Sequence, residues 1–210
     1  MTDRAGRRGP TPRLTRPMIA AAAIAIADAE GLDAVTVRRL SSALETGGGA
    51  LYRYFSSRDQ LLDLMVDAVI SDLPATPPRQ DDPIAALVAI GGELLDLYRG
   101  HPWLTDVRQA VSAPGPGVLD HFERCLTALA PSSASQAAKM EAIALVTGLV
   151  TLFSRQASNG TRVQFPPSHA TIRRRWPQLA SVLSSQPTHA QPGRVLFERV
   201  LTGMVAALLA

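Results

Sequence analysis

Cysteine is nearly absent: Cys125 is the only one among 210 residues. One thiol forms no internal disulfide and builds no cysteine-rich zinc module, and such usage fits a reducing compartment. Aromatic residues are scarce at 5%. Lysine is scarcer still, since Lys139 is the only lysine among 21 cationic residues. No run of 18 apolar residues occurs; the nearest approach, Ala142 to Phe153, is broken by Thr147, Gly148 and Thr151. The amino end lacks the apolar core of a secretory signal, because Arg4, Arg7, Arg8, Arg13 and Arg16 are spaced by Gly, Pro and Thr. A nucleotide-binding glycine loop, an HExxH motif, a His/Asp cluster and a catalytic-triad spacing are also missing. These absences predict a soluble cytoplasmic protein that is not an enzyme, holds no metal or cofactor and has no membrane partner.

What is present is apolar bulk, 46% of the chain, and an uneven charge. The bulk suffices for a core and excludes wholesale disorder. Residues 1–58 carry nine Arg and five Asp/Glu, a balance of +4, whereas residues 59–210 carry twelve cations and thirteen acids, a balance of −1; together they give the formal +3. A basic front and a near-neutral rear predict that the front meets a polyanion.

Helical periodicity fills the chain, no alternating strand pattern of useful length appears, and the expected fold is all-α. Residues 1–14 form a Gly/Pro/Arg-rich arm. Thr15 is placed to cap a helix that tolerates Pro17 in its first turn, buries Ile19, Ala23, Ile26 and Ala27, and stops at Gly31. Thr36 caps a second helix with Val37, Leu40 and Leu44 inward. A break at Glu45–Thr46–Gly47 precedes a third segment from Gly48 to Phe55. Ser57 and Gln60 form a capping box for a fourth helix that ends at Pro74. The run PATPPRQDDP over residues 74–83 holds four prolines and reads as a linker. Expected domains are therefore the arm at 1–14, a basic helical domain with its connecting helix at 15–73, the linker, and a helical domain at 84–210. Beyond the linker, helices are expected over Ile84–Arg99, Trp103–Ser112, Gly117–Ala130, Ala134–Ser158 and Arg194–Leu209, with a looser segment at 167–185.

Three short helices with a tight break between the second and third match a helix-turn-helix, whose third helix enters the major groove. The run TVRRLSSALETGGGALYRYFSSRDQLLDLMV, Thr36 to Val66, resembles the amino-terminal domain of tetracycline-repressor (TetR) family regulators. Leu40 and Leu44 four apart, the Leu51-Tyr52-Arg53-Tyr54-Phe55 run and the following Leu61-Leu62 carry the likeness, which covers about residues 12–70. The resemblance implies an all-α regulator that binds a palindromic double-stranded DNA operator as a homodimer and is released by a small-molecule effector, most often as a repressor. It implies phosphate contacts from Thr36, Tyr52 and Arg58, and a base or phosphate contact from Arg38. The resemblance further implies that Arg53, Tyr54 or both face DNA and that Gly48 and Ala50 open the reading helix, and the basic arms of other helix-turn-helix proteins lead to the expectation that Arg7, Arg8 and Arg13 enter an adjacent minor groove. Arg39 reads more simply as a solvated face. Glu45 stands where the family usually has Gly, so either it adopts a left-handed conformation, at a cost of about 1 kcal/mol, or the turn differs. A glycine-opened third helix and an arginine arm also motivate a competing reading, a nonspecific DNA-associating architectural protein.

The rear should supply dimerisation and a ligand pocket. A helix apolar on nearly every side needs partners on two faces. Ile143, Val146 and Val150 on one helix, and Leu196, Val200, Gly203, Met204 and Ala207 on the last, are therefore the expected dimer interface, with a deep intrachain core as the alternative. Expected lining groups for the pocket are Trp103, Val107, His121, Phe122, Cys125, Thr147, Thr151 and Arg155, with Phe153 and Gln156 beside them. His121 and Cys125, four apart, are too few for a metal site.

Overall fold

The computed structural model describes residues 14–107, 114–159, 174–184 and 193–210, and every regular element among them is helical. In chain order these are α1 (Arg16–Glu30), a 3₁₀ turn (Leu32–Ala34), α2 (Val37–Ala43), α3 (Gly48–Leu51), α4 (Arg58–Ile70) and α5 (Pro83–Gly100). A second 3₁₀ turn (Pro102–Thr105) follows, then α6 (Pro116–Ala128), α7 (Gln136–Asn159), α8 (Pro177–Ser184) and α9 (Gly193–Leu209).

The helix starts follow from side-chain oxygens that accept otherwise orphaned backbone N–H groups. Thr15 accepts from Met18, Thr36 from Arg39 and Ser57 from Gln60. Asp82 does the same for α5, accepting from Ile84 at 3.0 Å and Ala85 at 3.3 Å. Gln60 closes its box one residue earlier than the sequence pattern implies, accepting from the Ser56 N–H at 2.8 Å. At the far end of α1, Gly31 at φ 86 turns the chain out, a conformation that favours glycine. The segment expected as a helix over Trp103–Ser112 is instead the short 3₁₀ turn, pinned as Trp103 and Leu104 become buried; residues 108–113 lie outside the described ones.

Two compact units emerge. The first comprises the described residues up to Thr76 together with Gly100–Arg124; the second comprises Pro77–Arg99 and the described residues from Cys125 onward. The described residues between Gly100 and Arg124 thus side with the helix-turn-helix, whereas the sequence alone places the break at the proline-rich linker. Their attachments are specific. Asp28 on α1 accepts hydrogen bonds from Trp103 Nε1 at 2.7 Å and His101 Nδ1 at 2.8 Å, and Asp67 on α4 accepts from the Val118 N–H at 3.0 Å. Arg124 is buried and donates from Nε to the Thr76 carbonyl at 2.9 Å.

In the second unit α7 packs along α9, and Leu87, Ile90, Leu95, Ile143, Val150, Phe197 and Leu201 are fully or nearly fully buried. Phe153 meets Phe197 edge-on, centroids 5.4 Å apart. Arg194 on α9 reaches α5, donating to the Gly92 carbonyl at 3.1 Å and to Asp96 at 2.7 Å. Ile143, Val146 and Val150 correct the expected dimer interface, because each is at most 2% exposed within the single chain. Periodicity marks them as apolar but not which apolar neighbour covers them. On α7 and α9 the large apolar groups that face outward are Met140, Leu152 and Val195, 45%, 51% and 48% exposed. Over Gln136–Arg155, α7 has mean hydropathy 1.5, long and apolar enough to cross a membrane by length and composition, a test that core helices of soluble proteins also pass.

Gly91 marks a close helix approach in this unit. A Cβ there would stand 2.7 Å from Leu201 Cδ2 and 3.1 Å from Val146 Cγ1. Gly91→Ala is therefore expected to cost about 1–3 kcal/mol by overpacking, offset by under about 1 kcal/mol of helix propensity, with a lower urea midpoint at unchanged m as the readout.

Candidate nucleic-acid interface

The interface is built on α1 to α4. Four residues of α3 would not hold a helix in isolation, since nucleation alone is unfavourable and two of the four are glycine. The helix persists because Leu51 beneath it is completely buried and Phe55 just beyond it nearly so, in a core shared with Ile19, Leu40, Leu61 and Met65. Helix three is consequently one turn long. The Tyr52-Arg53-Tyr54 stretch, expected to close it, follows as a turn in which the Tyr54 N–H donates to the Leu51 carbonyl.

The break between α2 and α3 settles the alternative posed by Glu45. Its φ is 48, left-handed, and it is the only non-glycine residue with positive φ among the described ones. The strained conformation costs on the order of 1 kcal/mol and keeps the turn short. Gly47 then starts α3 without a side-chain cap, so helix three opens on bare backbone.

Positions of the expected contact residues divide into two groups. Arg38 and Arg53 are exposed, and Tyr52 is 60% exposed, its ring lying 6.5 Å from Phe55. Gly48 and Ala50 are half-buried on α3, and Thr36 is exposed while its oxygen caps α2. The others are engaged within the chain. Arg58 donates to the carbonyls of Val35 at 3.2 Å and Leu32 at 3.0 Å, holding the turn before α2, and the Tyr54 hydroxyl donates to the Leu14 carbonyl. Arg39, read as a solvated face, pairs with Glu30 at 2.6 Å; the hydrogen bond and charge of each hold the Glu30 carboxyl below, and the Arg39 guanidinium above, their ordinary pKa ranges. Arg7, Arg8 and Arg13 lie outside the described residues.

Arg16, which the sequence analysis did not single out, stands exposed in the first turn of α1. A cation at a helix start opposes the helix dipole, and that placement was the available signal. It lines a groove of about 410 Å³ with Tyr54, Gln60, Asp67 and Pro116.

The expected ligand-lining residues divide between the two units. Trp103, Val107, His121 and Phe122 belong to the first, and Cys125, Thr147, Thr151 and Arg155 to the second. The Trp103 N–H is committed to Asp28, and Val107 lines an acidic cleft of about 810 Å³ with Glu30, Asp33, Asp59 and Asp106. Cys125 is buried, and Arg155 is exposed. The Thr147 and Thr151 hydroxyls donate back along α7, to the carbonyls of Ile143 and Thr147. Burial pushes the Tyr98 phenol up, opposed by its hydrogen bond with Thr151. The side chain of Gln156 lies outside the described ones. Among the described residues no group of three His, Cys, Asp or Glu is arranged to hold a metal ion.

Residues 19–65 match the model of the bacterial regulatory proteins of the tetR family. Along a larger part of the chain, 199 residues are 36% identical to the HTH-type transcriptional repressor DrrR1 of Streptomyces coeruleorubidus, covering 86% of this chain and 73% of that protein. The chain belongs to the TetR family. An HTH-type transcriptional regulator of Saccharopolyspora erythraea is 31% identical over 162 residues, 72% of this chain and 67% of its own length. Among solved structures, the TetR family protein ActR of Streptomyces coelicolor in complex with actinorhodin is 25% identical, with a TM-score of 0.77 over 96% of this chain and 98% of that one. The same protein in complex with (S)-DNPA is 26% identical, with a TM-score of 0.76 over 93% and 97%. This TetR-family chain is a DNA-binding transcriptional regulator by membership, and its relatives are regulators rather than enzymes.

His121 gives this unit a pH dependence. Burial, reinforced by the Arg124 guanidinium, pushes its pKa down from 6.5 to about 4. Between those values the unfolded chain binds the proton and the folded chain does not, so stability rises with pH from about 4 to 6.5 and is flat above. His121→Gln is expected to flatten that part of a urea-midpoint profile; a profile unchanged by the substitution would remove His121 as its source.

Proposed function

We propose that this regulator is a ligand-responsive repressor that binds a palindromic operator as a homodimer in the cytoplasm, at the nucleoid, and is released by a small-molecule effector. The observation carrying the DNA reading is the exposed set Arg38, Tyr52 and Arg53 around the bare start of α3, with no intrachain ion pair among the described residues to neutralise Arg38 or Arg53. In this reading Arg38 addresses a guanine or a phosphate, Tyr52 and the start of α2 at Thr36 take phosphates, and Gly48 and Ala50 let the α3 backbone approach the base edges. Arg7, Arg8 and Arg13 add minor-groove contacts.

Homodimerisation is supported by apolar side chains turned outward on α7 and α9, in register with small residues. Met140, Ala144, Gly148 and Leu152 repeat every four residues along α7, as do Val195, Arg199, Gly203 and Ala207 along α9, and all eight are exposed. Two such pairs from two chains make a four-helix interface, with Leu196, Val200 and Met204 half-buried at its edge. The repressor reading is supported by the relative named as one, and the effector reading by ActR, which shares this fold and has been crystallised with actinorhodin. The proposed effector site draws on the second unit, where Tyr98 and Thr151 form a polar pair, with Cys125, Thr147 and Arg155 as further candidates.

Mobility shifts with duplexes from the promoter regions flanking its own coding sequence provide the test. Arg38→Ala is expected to weaken specific binding roughly tenfold or more while leaving the dimer intact in sedimentation. Equal affinity for random competitor duplex at fixed salt would instead favour the architectural reading. Leu152→Glu is expected to shift sedimentation toward the monomer and weaken operator binding together; a stable dimer after that change would place the interface elsewhere.

A further inference from the structure

The connection from α1 to α2 carries little apolar material to hold it. After Gly31 it runs through the 3₁₀ turn Leu32–Ala34 and Val35 to the cap at Thr36, and Val35 is the one buried residue over 31–36. α2 is seven residues long and fully buries only Leu40. Two anchor points leave rotation about the line that joins them. Arg38, two residues beyond the cap, would turn with the helix.

Two guanidinium groups supply the missing restraint. Arg39, in the first turn of α2, donates from Nε at 3.0 Å and from Nη2 at 2.6 Å to Glu30, the last residue of α1. Arg58, the first residue of α4, donates from Nη1 to the Val35 carbonyl at 3.2 Å and from Nη2 to the Leu32 carbonyl at 3.0 Å. The Leu32 carbonyl also accepts from the Val35 N–H at 3.2 Å, the bond that closes the 3₁₀ turn. Arg58 therefore grips the turn at its closing bond and again at the residue before the cap. A planar fork spans two such acceptors, whereas an ammonium is a single point.

The same placement turns Arg58 away from a phosphate. Its side chain lines the acidic cleft of about 810 Å³ together with Asp33, Asp59, Asp63 and Asp106, and Asp33 Oδ1 lies 3.9 Å from its Nη2. Acidic side chains on that face repel a polyanion. A guanidinium that left its carbonyls for a phosphate would release the start of α2.

We infer that Arg58 is a positioning residue that fixes the rotation of α2, and so presents Thr36 and Arg38 to the duplex, while taking no phosphate itself. That Thr36 and Arg38 meet DNA rests on the function proposed above; the restraint on α2 does not.

Arg58→Lys in the full chain tests this, because lysine keeps the charge and loses the fork. The amides of Arg39 and Leu40, which donate to the side chain and carbonyl of Thr36, should exchange with solvent about tenfold faster, while those of Leu61 and Met65 in the shared core stay unchanged. Operator affinity should fall about five- to tenfold, with the slope of log K against log salt altered by less than about 0.3. Arg38→Ala should cost less than about half as much, as a fold-change, in the Lys background as in the wild type. A phosphate clamp behaves differently: Arg58→Lys would bind within about twofold of wild type, and Arg58→Gln would flatten the salt slope by about 1. Either of those results overturns the inference, as does unchanged exchange at Arg39 and Leu40, equal quickening at Leu61 and Met65, or an undiminished effect of Arg38→Ala. No preferred duplex for the wild type overturns the operator reading instead, and the exchange rates then still decide whether Arg58 holds α2.

Discussion

The reading surface depends on apolar burial beneath helices too short to exist without it. α2 has seven residues and α3 four, lengths at which nucleation cost exceeds what propagation returns. What holds them is one shared interior: Leu40 from α2, Leu51 from α3, Ile19 and Ala23 from α1, and Leu61 and Met65 from α4, all at most 3% exposed. Burying each large side chain contributes about 1.5–3 kcal/mol, several times the penalty of the glycine start and the left-handed Glu45. The sequence therefore tolerates Gly48 and Gly49 where helix formers would be locally better. Their backbone can come close to a partner, and the order they lack is imposed from below.

How much of this was legible in the amino-acid sequence tracks the range of each interaction. Caps at Thr15, Thr36 and Ser57 and the stop at Gly31 are local, involving residues three or four apart, and their chemistry is visible in a short window. The inward faces of α1 and α4 follow from periodicity for the same reason. Which apolar face meets which partner is not local. Ile143, Val146 and Val150 look like an interface in sequence because α7 is apolar on several sides, and only the presence of α5 and α9 shows that they are spent within the chain. The allegiance of residues 100–124 was equally hidden, since it rests on pairs 51 to 75 positions apart: Asp28 with Trp103, and Asp67 with Val118.

The arginines show how the same residue type is divided between architecture and recognition. Arg39 with Glu30, Arg58 on the carbonyls of Leu32 and Val35, Arg124 on Thr76, and Arg194 on Gly92 and Asp96 each spend their forked donors inside the chain. The planar guanidinium suits this work, because one side chain can engage two acceptors at once. Subtracting them changes the meaning of the basic front half: the count of cations overstates the charge free to meet a polyanion. Within the described part of the first unit, Arg16, Arg38 and Arg53 are exposed without such an intrachain ion pair. Among the described residues, a field built by these three guanidinium groups, without Arg39 and Arg58, is directional, and direction lets a small basic domain orient on a duplex before any base edge is read.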